Sequence, residues 1–344
     1  MAGVLAGGYH GPPALTLARA FSSWTFDPWA CAFVLLAGGC YLAAVRRARR
    51  TGTPWPLARA VSFAGVGLGM LVIATMSWTG AYAPVLFYAR AAQTIVLLLV
   101  VPLFLALGRP ITLAITVLPV PFGKIINATI RSRVAKVLTF PALVTPVLVV
   151  VPFLVYFTSW YAAYFHSSAV RELTYLALMA PGFAFFWTLL RVDPVPKEYP
   201  YLVSLWITGV EVIGDAILGV AVIGDAHLIG GAYYQALARP WGPSLRFDQM
   251  LGGGTLWVLG DIVGLPFLAA QLIHMIREDE ADAAVIDAEL DAGEASASAG
   301  AEAAVIEPAT QPAGQPAGQP WWESDPRFTI RFKPADDQAG TKGD

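Results

Sequence analysis

The sequence predicts an all-α, polytopic membrane protein in which seven transmembrane helices form a bundle. Hydrophobic residues make up 56% of the 344 residues and charged residues 13%, which is more apolar surface than a soluble domain can bury. Apolar segments of about 20 residues, the length that crosses a bilayer, recur along the chain. The basic residues are concentrated in alternate connections between these segments, which is typical of a membrane protein with one fixed orientation.

The predicted spans divide the chain into three parts. Residues 1–27 form an external N-terminal segment, 28–276 the membrane domain and 277–344 an acidic, low-complexity cytoplasmic tail. The second span is rich in glycine, which membrane helices use for close packing. The seven spans cover about residues 28–45, 59–77, 84–107, 140–159, 172–190, 200–223 and 252–275.

The orientation follows from the distribution of Arg and Lys. The connections after spans 2, 4 and 6 carry few cations, chiefly Arg239 and Arg246. The positive-inside rule therefore predicts that the N-terminus lies outside and the C-terminus in the cytoplasm. The cations on which this depends are Arg46, Arg47, Arg49, Arg50 and Arg59 after span 1, Arg109, Lys124, Arg131, Arg133 and Lys136 after span 3, Arg191 and Lys197 after span 5, and Arg277 after span 7.

Two connections and the tail carry further signals. Residues 108–139 mix apolar residues with spaced cations, which predicts an interfacial helix. Residues 226–250 form the longest external connection and are rich in Tyr, Trp, Gly and Pro, which favours an ordered cap. In the tail, "WWESDPRFTIRF" at 321–332 is either a short docking motif or part of a disordered segment.

Polar residues interrupt the third and seventh predicted spans. Arg90, Gln93 and Thr94 lie near the start of span 3, and Asp261 lies in span 7. An arginine within a hydrocarbon-spanning helix costs several kcal/mol unless something pairs with it.

The sixth predicted span supplies candidate partners for this arginine. Ser204, Thr208, Glu211 and Asp215 follow one another at spacings of four, three and four residues, so they share one helix face. Asp215 and Asp261 are predicted at the depth of Arg90, with Glu211 one turn deeper, so we expect Arg90 to pair with Asp215 and Asp261. Two interpretations stay open, namely a structural ion-pair network that fixes spans 3, 6 and 7, and a route for protons or cations.

Several classes of function find no support in the sequence. No basic, aromatic-interleaved segment of the nucleic-acid-binding kind is present. The glycine runs lack the lysine and the strand-to-helix context of phosphate loops. Soft ligands for copper are dispersed and form no close-spaced motif. They are His10, His166 and His227, with Met76, Met250 and Cys31.

Three stretches resemble a known family. They are 86–119, with Pro102, Gly108 and Pro110; 159–187, with Arg171 and Glu172; and 248–261, with Asp248, Gln249, Gly253 and Trp257. In these stretches and in its seven-helix, N-out layout, the chain is similar to the membrane-integral CtaG family of cytochrome c oxidase assembly factors. The resemblance implies a multi-pass protein of the bacterial cell membrane that helps oxidase biogenesis, in connection with copper delivery to the oxidase.

The chain departs from this family where metal ligands are expected. Family members typically have His-Met-x-x-His where this chain has residues 90–94, and they tend to have histidines at the positions of Arg171 and Tyr175. Arginine cannot bind a metal because it stays protonated, and threonine and tyrosine are poor copper ligands. Either the chain kept the scaffold and lost the copper site, or it handles metal through other residues.

The sequence therefore predicts a non-enzymatic assembly or accessory factor for a haem–copper oxidase, with a degenerate copper site and oxidase subunits as partners. No cofactor is assigned, since the expected copper ligands are absent. Two alternatives are a proton or cation transporter that uses Arg90, Glu211, Asp215 and Asp261, and a membrane scaffold that recruits partners through its C-terminal tail.

Overall fold

The computed structural model describes residues 9–196 and 201–305, and within these ranges the chain is helical, with no β-strand. Six helices are long and apolar enough to cross a membrane, and a bent pair of helices makes a seventh span if it is counted as one. The predicted all-α fold is confirmed, and the chain is a membrane protein by the length and composition of these helices. The orientation of the termini stays a prediction.

Twelve helices follow one another within the described residues. They are α1 (Leu17–Ser22), α2 (Pro28–Arg50), α3 (Leu57–Tyr82), α4 (Phe87–Val117), α5 (Val120–Ile130), α6 (Arg133–Leu138), α7 (Pro141–Phe157), α8 (Trp160–His166), α9 (Ser168–Leu190), α10 (Tyr201–Gly224), α11 (Gly231–Leu237) and α12 (Leu245–Val305).

The α4 helix is the centre of the bundle. In its most apolar stretch 72% of the residues are buried, against 44% or less in the other five long helices. A Cβ atom on Gly182 of α9 would lie 1.9 Å from the carbonyl oxygen of Leu98, so only glycine allows α9 to pack this closely against α4. Polar residues on α4 therefore have protein around them rather than lipid, which is the condition for keeping them in a span.

The fourth predicted span, 140–159, is a broken one. The α7 and α8 helices meet at 69°, because Thr158 is extended at φ −122° and ψ 177° and ends α7. Trp160 donates its backbone N–H to the Thr158 hydroxyl at 3.2 Å, which helps to start α8 in its new direction. The break turns α8 towards the centre of the bundle, where its Tyr161 and Tyr164 are buried.

The seventh span begins at Leu245 rather than at 252, because the Gly252–Gly254 run lies inside the helix instead of preceding it. A Cβ atom on Gly252 would lie 2.2 Å from the Phe87 ring, and one on Gly253 would lie 2.6 Å from the Gly219 carbonyl oxygen. The two glycines thus bring α12 against α4 and α10.

The predicted helix within 108–139 is present, as α5 and α6, and both expose apolar side chains such as Phe122 and Val134. The chain divides into two compact units, Met1–Asp279 and Glu280–Asp344. The proposed docking motif at 321–332 lies outside the described residues, and the three-part division of the chain stays a prediction.

Candidate functional site

Arg90 lies in the protein interior and is fully buried. Its Nη1 donates to Oε1 of Gln93 at 2.7 Å, and its guanidinium carbon lies 3.9 Å from the centre of the Tyr164 ring. Gln93 also accepts the Tyr164 hydroxyl at 3.0 Å and donates to the Ala74 carbonyl at 2.8 Å. The arginine is therefore held by one amide oxygen and one aromatic face, the latter an electrostatic contact with the ring.

Tyrosine hydroxyls complete this group. Thr94 donates to the Arg90 carbonyl at 3.0 Å or shares a hydrogen bond with Tyr156, also at 3.0 Å. The hydroxyls of Tyr164 and Tyr175 are 3.4 Å apart. Nε and Nη2 of Arg90 have no hydrogen-bond partner in the part of the chain that is described. We call this group the arginine–tyrosine layer: Arg90, Gln93, Thr94, Tyr156, Tyr164 and Tyr175.

The carboxylates of the sixth and seventh spans form a second, separate group. Glu211 and Asp215 are 2% and 3% exposed on the buried face of α10, as the spacing predicted. They interact electrostatically with each other and with Asp261 of α12. A Cβ atom on Gly260 would lie 2.5 Å from Oδ2 of Asp215, and one on Gly264 3.2 Å from Oε2 of Glu211. Glycines on α12 thus make room for both carboxyl groups.

The predicted ion pairs between Arg90 and Asp215 or Asp261 are not formed. No carboxylate among the described residues pairs with Arg90, whose guanidinium contacts Gln93 and Tyr164 instead. Residue counting estimates the depth of a side chain but says nothing of its direction around the helix axis. Arg90 is directed at α8, whereas the three acids lie between α10 and α12.

Asp248 and Gln249 organise the connection between α10 and α12. Arg239 forms an ion pair with Asp248 at 3.1 Å, with both side chains buried, and Asp248 also accepts the backbone N–H of Tyr88 at 3.2 Å. Gln249 accepts the Ile229 N–H at 2.8 Å and donates to the carbonyls of residues 222 and 227, each at 3.1 Å. The Asp248–Gln249 motif therefore fixes this connection to the bundle. The ordered cap that the sequence predicted for the connection includes helix α11.

Aromatic residues of the cap reach the arginine–tyrosine layer through Tyr161. Tyr234 shares a hydrogen bond of 2.8 Å with Tyr161, whose ring centre lies 5.4 Å from that of Tyr156. Tyr233 stacks on Phe165 at 4.2 Å between ring centres. Burial raises the pKa of Tyr233 to about 12.

The motif positions of the third span serve contacts between helices. The Tyr41 hydroxyl donates to the Gly108 carbonyl at 2.6 Å. Pro110 begins the last segment of α4, where Asp193 accepts the backbone N–H groups of residues 111 and 112 at 3.1 and 2.8 Å. Asp193 thus caps that segment from 81 residues away in the chain, a role that local sequence does not signal. Pro102 lies against the site of Gly182 on α9.

The remaining motif positions are members of neither polar group, although Arg171 interacts electrostatically with Tyr175 and Tyr164 of the arginine–tyrosine layer. Gly253 and Trp257 pack against Gly219 of α10. Arg171 is 3.7 Å from Asp27 and 3.4 Å from Glu172, so this arginine has two carboxylate neighbours near the start of α9. These positions therefore belong to packing and to a local ion-pair group.

The arginine–tyrosine layer does not fit a copper ion. Its nitrogen donors are those of a protonated guanidinium and an amide, and Thr94 and Gln93 already hold hydrogen bonds to neighbouring residues. Among the described residues no group of three or more His, Cys, Asp or Glu is arranged to hold a metal ion. His227, next to Asp225, has a side chain that is 95% exposed, and His166 contacts Tyr233.

A match to the family described as cytochrome c oxidase caa3 assembly factor covers residues 39–278. The chain belongs to this family, Caa3_CtaG. The resemblance seen in three stretches of the sequence is thus confirmed, and both polar groups and the Asp248–Gln249 motif lie within the matched range.

Curated relatives of this CtaG family member come from mycobacteria. Uncharacterized proteins of Mycobacterium bovis and Mycobacterium tuberculosis are each 29% identical over 296 residues, which is 84% of this chain and 44% of theirs. A protein of Mycobacterium leprae, also uncharacterized, is 26% identical over 293 residues, 83% of this chain and 44% of its own length. The chain therefore spans less than half the length of these relatives. No solved structure matches the chain.

Proposed function

We propose that this CtaG family member is an assembly or accessory factor for a haem–copper oxidase in the bacterial cell membrane, and that it acts by binding oxidase subunits. It does so without catalysing a reaction and without holding copper in the layer around Arg90. Family membership supports the link to oxidase assembly. The residues of the arginine–tyrosine layer support the inference that the copper role has been lost.

The observation that carries this proposal is the burial of Arg90. Its guanidinium lies where the family resemblance implies the first of two metal-binding histidines, and it is fully enclosed by protein. A permanent cation at this position repels a metal cation, and it has no lone pair to donate. Thr94, at the position of the second histidine, uses its hydroxyl to join α4 to Tyr156 of α7.

The contacts of the arginine–tyrosine layer indicate what it does in place of binding a metal. Gln93 joins α4 to the backbone of α3, while Tyr164 and Tyr175 bring in α8 and α9. Together with the Thr94–Tyr156 contact to α7, one polar group thus fixes five helices to one another. In this proposal the layer keeps the bundle rigid so that the faces that bind oxidase subunits have a constant shape.

The test uses the full-length chain, tagged and extracted in mild detergent from its own membrane. We expect an oxidase subunit to co-purify and the purified chain to contain far less than one copper per molecule. The double variant Arg90→His/Thr94→His restores two histidines one turn apart and is expected to gain tightly bound copper. The matched control Ser62→His/Phe63→His adds two histidines that are adjacent on α3 and cannot share one helix face.

Two results contradict the proposal. One equivalent of tightly bound copper in the unchanged chain rules out the degenerate site. Normal oxidase haem spectra and subunit composition in cells that lack the chain rule out the assembly role.

The transport alternative used Arg90 and the three acids as one route, whereas Arg90 contacts Gln93 and Tyr164. The scaffold alternative rests on the tail, whose residues 306–344 lie outside the described part of the chain. Removal of the tail after Asp279 tests it, because loss of every partner on truncation favours the scaffold alternative.

A further inference from the structure

A column of buried polar side chains runs along the inner face of α10. Ser204, Thr208, Glu211 and Asp215 are each 3% exposed or less. Ser204 accepts from Nη2 of Arg191 at 3.3 Å, at the end of the bundle where α9 ends and α10 begins. These polar residues extend from that end to Asp215, about 16 Å along the helix at 1.5 Å per residue.

The facing helix α12 continues the column. Thr208 donates to Oε1 of Gln271 at 3.2 Å, and the Gln271 side chain is also buried, with no hydrogen-bond partner for Nε2 among the described residues. One turn further along α10, Oε1 of Glu211 lacks a partner too. Hydrogen-bonding groups without partners thus lie on both α10 and α12. Such buried groups can bind a small polar ligand.

The charge of the acid group points to the identity of this ligand. Glu211, Asp215 and Asp261 are near one another in the membrane interior, and Oδ2 of Asp215 and Oδ1 of Asp261 also lack hydrogen-bond partners within the described ranges. Three ionised carboxylates without a counter-ion cannot be kept there, because a single buried charge already costs several kcal/mol.

The neighbouring helices supply no cation to neutralise the acids. The α7 helix, which packs against α10, has Tyr156 as its one titratable residue. On α12 the group that faces the acids is Asp261, and His274, further along the helix, is exposed. Arg191 lies two turns beyond Glu211, at Ser204. Because the described acids are not arranged to hold a metal ion, protons are the remaining ligand that can neutralise them.

The column is closed on its other side. Beyond Asp215, Leu218 and Val222 of α10 and Leu256 of α12 are fully buried or 1% exposed. At the same level the backbones of Gly219 and Gly253 touch, since a Cβ atom on either glycine would lie within 2.7 Å of the other's carbonyl oxygen. About two helical turns of apolar side chains and tight backbone packing separate the acids from the Gln249 motif.

We propose that Glu211 and Asp215, beside Asp261, form a proton-binding site inside the membrane that exchanges protons with the Arg191 end of the bundle and not with the opposite end. Thr208, Gln271 and Ser204 line the access path. The positive-inside rule predicts that this end faces the cytoplasm. Since the path is closed beyond Asp215, the site stores protons and does not conduct them across the membrane.

Labelling with dicyclohexylcarbodiimide tests the site in full-length protein reconstituted into vesicles. The protonated carboxyl adds its O–H across one C=N bond of this apolar reagent, and rearrangement leaves a stable N-acylurea that mass spectrometry locates. We expect labelling of Glu211 or Asp215 at neutral pH. It should fall several-fold when the pH is raised on the Arg191 side and stay constant when the pH is raised on the other side. Protease cleavage after Arg277, which follows the apolar part of α12 at the Arg191 end of the bundle, reports which way each chain is inserted.

Conservative variants serve as controls. Glu211→Gln and Asp215→Asn should remove the label at their own positions and reduce the carboxylic-acid C=O band in infrared spectra. Glu172→Gln, which replaces an acid of α9 outside the cluster, should change neither the labelling of Glu211 and Asp215 nor its pH dependence. Thr208→Val keeps the side-chain shape and should slow the response of labelling to a pH change on the Arg191 side.

Three outcomes overturn the proposal. The absence of both the label and the infrared band shows that the acids are ionised. Protection from labelling by Na⁺ or Ca²⁺ at constant pH identifies a cation site instead. Labelling that follows the pH on both sides shows a path through the membrane, as the transport alternative requires.

Discussion

Replacing Arg90 with methionine tests whether this buried arginine neutralises another charge. If Arg90 were the partner of Asp215 and Asp261, its removal would leave buried carboxylates alone and cost about 3–5 kcal/mol of the free energy of unfolding. In the structure its partners are neutral, and each of them keeps another contact. Gln93 still accepts the Tyr164 hydroxyl and still donates to Ala74 after the change.

The magnitude follows from the contacts that are lost and the penalty that is removed. The hydrogen bond to Gln93 contributes about 1.5–3 kcal/mol because it is charge-assisted. The contact with the Tyr164 ring contributes about 2 kcal/mol in a desolvated place. These contributions are opposed by the cost of removing the whole guanidinium from water, which is several kcal/mol. Nε and Nη2 form no hydrogen bond with the described residues that would offset this cost. We therefore expect Arg90→Met to leave the unfolding free energy unchanged or to raise it by as much as about 4 kcal/mol.

Titration with sodium dodecyl sulfate in mixed micelles measures this change, with the fluorescence of the 11 tryptophans as the signal. Arg239→Met is the matched control, since Arg239 is also buried but is ion-paired with Asp248. Its removal leaves a buried carboxylate and should cost about 3–5 kcal/mol. A loss of about 3 kcal/mol or more for Arg90→Met, equal to that of the control, would refute the assignment of neutral partners.

Three further changes test the packing, the cap and the pH response. Gly182→Ala places a methyl group on the Leu98 carbonyl oxygen and should cost about 3 kcal/mol of unfolding free energy or prevent accumulation of folded protein, and normal stability would contradict the close approach. Gln249→Leu leaves the Ile229 N–H without its acceptor and should cost about 2 kcal/mol, with faster proteolysis of the connection between α10 and α12 as a second measurement. The folded state favours the neutral form of Tyr233, because burial raises its pKa to about 12. The contribution of Tyr233 to the free energy of unfolding is therefore complete below about pH 10 and is lost as the pH rises through about 12. The unfolding free energy of Tyr233→Phe, measured over the same pH range, checks this prediction. The variant should lose less stability at alkaline pH than the unchanged chain.

The sequence was sufficient for the elements that depend on local pattern. Apolar length predicted the long helices, and the spacing of Ser204, Thr208, Glu211 and Asp215 placed all four on one buried face. The start of α12 was misplaced because a run of three glycines looks like a break, whereas in a membrane it is also a packing surface.

The partners of Arg90 depend on contacts that local pattern does not contain. Tyr164 reaches Arg90 because α7 and α8 meet at 69°, and that break follows from the backbone of Thr158. A signal was present in residues 160–166, where Tyr161 and Tyr164 share one face of a short helix. It could not be read as an arginine site without the direction of α8 relative to α4.

The contact between Arg90 and Tyr164 also has a consequence for the order in which the chain is built into the membrane. Arg90 enters the bilayer during synthesis well before the ribosome has made α8. Until then we expect the guanidinium to extend to the nearest lipid headgroups, as long cationic side chains do, and to hold α4 away from its final depth. The third span therefore reaches its final depth only after the fourth has inserted, so the central helix of the bundle settles later than its place in the chain implies.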